Sequence, residues 1–138
     1  MGYAQIQTCT VLGLKAPAVT VEVHLANGLP NFALVGLADT EVREARERVR
    51  SAILNSGLEF PSNKRIIVNL APADLPKESG RFDLPIAVGI LAASEQLDAQ
   101  AVEQHVFAGE LSLSGELRPV RGALAMALGF IVRKNMRV

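Results

Sequence analysis

The sequence predicts an α+β domain, or mixed α/β domain, organised around a sheet. Alternating apolar residues mark strands near the start of the chain, and a 3.6-residue apolar stripe marks a helix after them. Short strand and helix patterns then interleave to the end, giving the order βββαβαββα in a single domain of residues 1–138.

The elements follow in order. Tyr3 to Leu12 is rich in Thr, Val, Ile and Cys, and in Ala18 to Ala26 the residues Val19, Val21, Val23 and Leu25 fall on one face, so both segments read as strands. Asn27-Gly28 with Leu29-Pro30 is turn chemistry, and Phe32 to Val35 is a short apolar run after it. Together these predict a three-stranded meander. Asp39 or Thr40 suits the N-cap of the first helix, whose buried stripe is Val42, Ala45, Val49, Ala52 and Ile53 and whose stop is Gly57. Lys64 to Leu70 reads as a buried strand. Asp83 is suited to cap a second helix, with Pro85 tolerated in its first turn; that helix is apolar nearly all round and predicted to be central. His105 to Leu111 and Glu116 to Val120 read as strands about a turn at Ser112 to Gly115, and Gly122 to Arg133 as a third helix. The final residues, FIVRKNMRV, leave that helix and begin another strand, as though the chain belonged to a larger protein.

Composition limits the function. The chain has 138 residues, 49% of them apolar and 20% charged, enough for one domain with a real core. Fourteen basic residues balance fourteen acidic ones, so no whole-molecule field draws the chain to nucleic acid or an anionic membrane, and any such contact is local. The one cysteine, Cys9, fits a reducing compartment, and neither a signal peptide nor a membrane-length apolar run is present; the expected location is the cytoplasm.

Two constellations carry chemistry. The loop Pro76 to Asp83 joins a buried strand to a buried helix, and there Lys77 and Arg81 could add charge to an anion site at the helix N-terminus. The bland alternative is a capped connector with solvated charges. A hydrolase would need Lys77, or another lysine, beside Ser79 with a lowered pKa, which an exposed loop does not favour. The first helix supplies the other constellation. At about 100° per residue, Arg43, Arg46 and Arg50 share one strip beside the apolar stripe, while Arg48 lies with Glu41 and Glu44 on the opposite flank at i,i+4 pairing distance from Glu44. The strip is either a solvated, salt-bridged face or a contact for phosphate or for acidic groups of a neighbouring subunit. Five Phe, one Tyr and no Trp give little support to a base-stacking platform. His24 and His105 lack ligand-spaced companions, so no metal site is expected; Cys9 reads as core, and no Walker loop occurs.

Three segments carry a family resemblance across almost the whole chain: VTVEVHLANGLPNFALVGLADTEVREARERVRSAILNSG, IIVNLAPADLPKESGRFDLPIAVGILAASEQL and AGELSLSGELRPVRGAL. They resemble the N-terminal domain of the magnesium chelatase-like AAA+ proteins, the ComM/YifB family. The resemblance implies a fold similar to the Lon proteolytic domain, and a following AAA+ ATPase module, outside this chain, that binds ATP and Mg. It also implies a hexameric parent linked to DNA uptake, recombination and branch migration.

Lon's nucleophile loop, roughly PKDGPSAG, laid on PKESGRFDLP puts Asp83 where the serine stands, and Lon's lysine position falls on Leu124. The resemblance therefore implies a segment that is not an enzyme and needs no cofactor. It would serve subunit assembly, with DNA contact through Arg43, Arg46, Arg50, Lys77 or Arg81 open. Its partners would be its own AAA+ module and neighbouring subunits, with DNA left open as a third and no membrane. A residual Ser/Lys peptidase at Ser79 and an accessory role in metal chelation are the alternatives.

Overall fold

The computed structural model describes residues 2–77 and 80–134. Strands β1 (Tyr3–Cys9), β2 (Ala18–Ala26), β3 (Asn31–Val35) and β4 (Arg65–Ala71) form a mixed sheet, with helix α1 (Asp39–Asn55) between β3 and β4. Helices α2 (Asp83–Ala93) and α3 (Ala99–Glu103), a hairpin of β5 (Glu110–Leu111) and β6 (Leu117–Arg118), and helix α4 (Ala123–Lys134) follow. The fold is α+β, as the sequence predicts. The strand expected within FIVRKNMRV is corrected as far as Lys134, where α4 ends, and residues 135–138 lie outside the described residues.

The meander is corrected. The sheet order is β1-β2-β4-β3, with β4 antiparallel to β2 and parallel to β3. The Asn27–Pro30 turn carries the chain past the edge of β2 instead of folding β3 onto it, and α1 serves as the crossover that a parallel β3–β4 pair requires. The strongly apolar β4 thereby takes an inner position.

Register aligns the core. Ile6, Val21 and Leu70 lie opposite one another across three strands, and Ala4, Val23, Val68 and Leu34 across four. All seven are buried on the face that α1 and α2 cover. The other face carries Tyr3, Glu22 and Asn69, which share a hydrogen-bonded row.

Helix α2 is central, as predicted, with every residue but Leu84 buried. Its own propensity is poor: β-branched Ile86, Val88 and Ile90 plus Gly89 together disfavour a helix by roughly 2–3 kcal/mol. Burial of Ile86 and Ile90, each fully enclosed, contributes about 1.5–3 kcal/mol apiece and outweighs that. Gly89 lets the helix sit close to the sheet, since a Cβ there would meet Val23 Cγ2 at 2.6 Å and Ile6 Cγ1 at 3.3 Å.

The expected helix caps are also corrected. The N-cap of α1 is Ala38, without a side-chain cap bond, and Asp39 and Glu41 complement the positive end of the helix dipole from within the first turn. Asp83 lies inside α2, because a tight turn at Gly80–Phe82 starts the coil earlier. Part of the strand expected over His105 to Leu111 is irregular: Val106 bridges to Gln7 and Phe107 N–H donates to Gln7 O at 3.0 Å, covering the outer edge of β1.

Candidate functional site

Helix α1 presents arginines in two settings. Inward, Arg48 meets Asp83 at the start of α2: Nε donates to Oδ2 at 2.6 Å and Nη2 to Oδ1 at 3.2 Å. The Leu111 N–H donates to the same Oδ2 at 3.1 Å. Asp83 is 1% exposed and the Arg48 side chain 21%, so this is a largely enclosed, bidentate pair. Glu44 adds the i,i+4 contact expected from the sequence, at a longer 3.5 Å.

Burial pushes the Asp83 carboxyl above its ordinary value, against the opposing pull of Arg48 and of the Leu111 amide. Burial works to lower the Arg48 guanidinium too, yet Asp83, with Glu110 and Glu44 behind it, holds it above its ordinary value. Asp83 does not cap α2 by its side chain; the Leu84 N–H instead donates to the Gly109 carbonyl at 2.9 Å. A carboxylate this deeply enclosed needs a countercharge, and α1 brings one from 35 residues away.

Outward, Arg43, Arg46 and Arg50 line a groove of about 700 Å³ with Lys64. Arg46 Nη1 donates to Phe32 O at 3.0 Å, the Arg50 guanidinium lies 5.3 Å from the Phe60 ring centre, and Lys64 Nζ donates to Asn27 Oδ1 at 2.8 Å. None of these four cations makes an ion pair among the described residues. The salt-bridged alternative therefore applies to Arg48 and not to the strip. Sequence reasoning missed Phe60 and Lys64 as partners of the strip; the isolated Phe60 in an otherwise polar turn was the available signal.

The Pro76–Asp83 loop departs from expectation. Lys77 and Arg81 are both 6% exposed, not solvated. Lys77 Nζ donates to the carbonyls of Gly36 and Leu75, each at 3.0 Å. Gly36 adopts φ +99° where a Cβ would run into the Leu70 carbonyl, which holds that acceptor in reach. Arg81 Nη2 donates to Arg121 O at 2.8 Å. Burial lowers the Lys77 ammonium, with Asp74 opposing, and lowers the Arg81 guanidinium, with Cys9 opposing. Both charges face into the domain, so this loop offers neither to a phosphate in the fold described.

Ser79 lies outside the described residues. Leu124 is 73% exposed in the first turn of α4, in contrast to the enclosed Asp83. Cys9 is buried, and no group of three or more His, Cys, Asp or Glu that could hold a metal ion occurs among the described residues. No helix among them is long and apolar enough to cross a membrane.

Residues 21–138 match the family described as subunit ChlI of Mg-chelatase. The chain is 59% identical over 127 residues to YifB of Salmonella typhimurium, which covers 92% of this chain and 25% of that protein. Competence protein ComM of Haemophilus influenzae is 56% identical over 128 residues, 93% of this chain and 25% of its own length. A Mycobacterium tuberculosis protein, Rv2897c, is 38% identical over 128 residues, with the same two coverages. The chain spans about a quarter of the length of these curated relatives. It belongs to the magnesium chelatase subunit ChlI family and, within it, to the magnesium chelatase-like ComM/YifB proteins.

Proposed function

We propose that this domain is a non-catalytic assembly unit of a magnesium chelatase-like AAA+ ATPase acting in competence and in DNA branch migration during recombination. The competence role extends to this chain what the name of its Haemophilus influenzae relative says of that protein. One observation carries the non-catalytic reading: Asp83, aligned with Lon's serine, is enclosed and bonded on both oxygens to Arg48 and on one to Leu111. A carboxylate so engaged is no substitute for an activated hydroxyl, and Leu124, aligned with Lon's lysine, can take no proton.

ATP and Mg²⁺ belong in this reading to the AAA+ module of the intact protein, because the residues here do not fit them. The Gly36–Ala38 turn that leads from strand to helix runs into Asp39 and Glu41, whose carboxylates repel phosphate. The partners are that module and neighbouring subunits of a hexamer in the cytoplasm.

The test is sedimentation velocity of the intact protein with ATP, with and without residues 1–138, beside labelling with a serine-directed fluorophosphonate. Loss of the ring on deletion, without labelling, is expected. A full ring without the domain, or a label lost in Ser79→Ala, overturns the reading. The buried Lys77, its ammonium lowered by desolvation, is the observation that favours the peptidase alternative.

DNA contact through Arg43, Arg46 and Arg50 is a second reading, supported by their lack of ion-pair partners among the described residues. Three phosphate contacts give a log–log salt slope of about −2 on single strands, measurable by fluorescence anisotropy. Its absence in Arg43/Arg46/Arg50→Ala would assign the slope to the strip.

A further inference from the structure

The α1 groove has a composition that neither constellation in the sequence explains. Phe32, Phe60 and Ile66 form a largely buried apolar floor, Arg43, Arg46, Arg50 and Lys64 a cationic rim, and Glu47 is the one carboxylate lining it among the described residues. Three of the cations are already held, by Phe32 O, the Phe60 ring and Asn27. A ligand would therefore meet prearranged charge and lose less affinity to side-chain ordering.

We propose that this groove receives an extended segment of another protein chain in which acidic and apolar residues alternate. Arg43 and Arg50 take its carboxylates, and Leu54, 54% exposed beside the groove, takes its apolar side chains. The inference rests on the assembly reading and gives the chemistry of the contact.

Charge complementarity selects this occupant over a nucleic acid. Four cations against one Glu47 call for an anion, yet Glu47 inside the groove and Glu41 and Glu44 on the far flank of α1 oppose a continuous polyanion. Separated carboxylates can avoid Glu47, whereas evenly spaced phosphates cannot. Phe32 and Phe60 are only 4% and 8% exposed, with Arg50 over the Phe60 ring, so neither offers a ring face to a stacked base. Arginine is also among the residues that dominate protein–protein contacts.

The outer edge of β3 borders the groove and adds a geometric limit. Asn31 N–H turns toward Lys64 O, so alternation turns the Phe32 peptide outward, where Arg46 already occupies its carbonyl. The segment is consequently held by its side chains and not by full pairing with β3.

The test titrates three labelled probes with the intact protein at low and moderate salt: a short peptide of alternating Glu and Leu, its Gln/Leu counterpart, and a thymidine oligonucleotide. Fluorescence anisotropy is read for wild type, Arg43→Glu/Arg50→Glu and the charge-keeping Arg43→Lys/Arg50→Lys. The Glu peptide is expected to bind at least about tenfold tighter than the Gln peptide, to lose at least about tenfold in the glutamate variant, and to be largely retained in the lysine variant. Equal binding of both peptides, no peptide binding, or tighter binding of the oligonucleotide overturns the proposal. Sedimentation of the wild type in the same buffers reports assembly separately: an intact ring without peptide binding ends this inference and leaves the assembly reading standing.

Discussion

Arg48 and Arg50 stand two residues apart on α1 and meet opposite environments. Arg48 turns in to an enclosed carboxylate, and its loss would strand that charge in the interior. Arg50 turns out over Phe60, with water on its far side and no ion-pair partner among the described residues. At about 100° per residue a two-residue step carries a side chain to roughly the opposite side of the helix, so one short sequence separates charge that holds the fold from charge turned toward a partner.

The largest expected effect lies on the inner side. Asp83→Ala leaves Arg48 without its countercharge and should lower stability by about 3–5 kcal/mol in urea denaturation. Arg48→Met/Asp83→Leu removes both charges and should lose far less than the single change. A loss below about 1 kcal/mol in Asp83→Ala would mean the pair is idle. Next comes Gly89→Ala, which overfills the contact of α2 with Val23 and Ile6 and should cost about 1–3 kcal/mol despite its better helix propensity.

A smaller effect follows from pH. Because burial raises the Asp83 carboxyl, the folded protein holds that proton more tightly than the unfolded chain does. Its contribution to stability is full below the ordinary carboxylate value and is lost as pH rises through the raised one. Urea midpoints followed upward from the ordinary carboxylate range should therefore fall more in wild type than in Arg48→Met/Asp83→Leu; parallel profiles would remove Asp83 as the source. Least affected is the outer strip: Arg43→Ala should change stability by no more than about 0.5 kcal/mol, and Arg50→Ala by up to about 1 kcal/mol through the lost ring contact. Thermal melts of the two variants check this, and a larger loss would place the strip among the fold's supports.

How much of this was legible in the sequence depended on range. The Ala18–Ala26 strand matches its alternation residue for residue, and the unbroken apolar run of α2 announced a buried helix. Local pattern could not show that β4 enters between β2 and β3, because register across a crossover depends on partners far along the chain. Charge counting made Lys77 and Arg81 look solvated, whereas their acceptors are backbone carbonyls, including those of Gly36 and Arg121, that no sequence pattern marks. The strip Arg43, Arg46 and Arg50 was visible from helical spacing alone, but the groove it lines needed Phe32, Phe60 and Lys64, brought to it by the fold.

The most direct test of this division of charge is sedimentation velocity of the intact protein with ATP, comparing wild type with Arg43→Glu/Arg50→Glu at matched urea stability. Weakened assembly at unchanged stability is the expected result. Assembly equal to wild type, or lost only in step with stability, would contradict it.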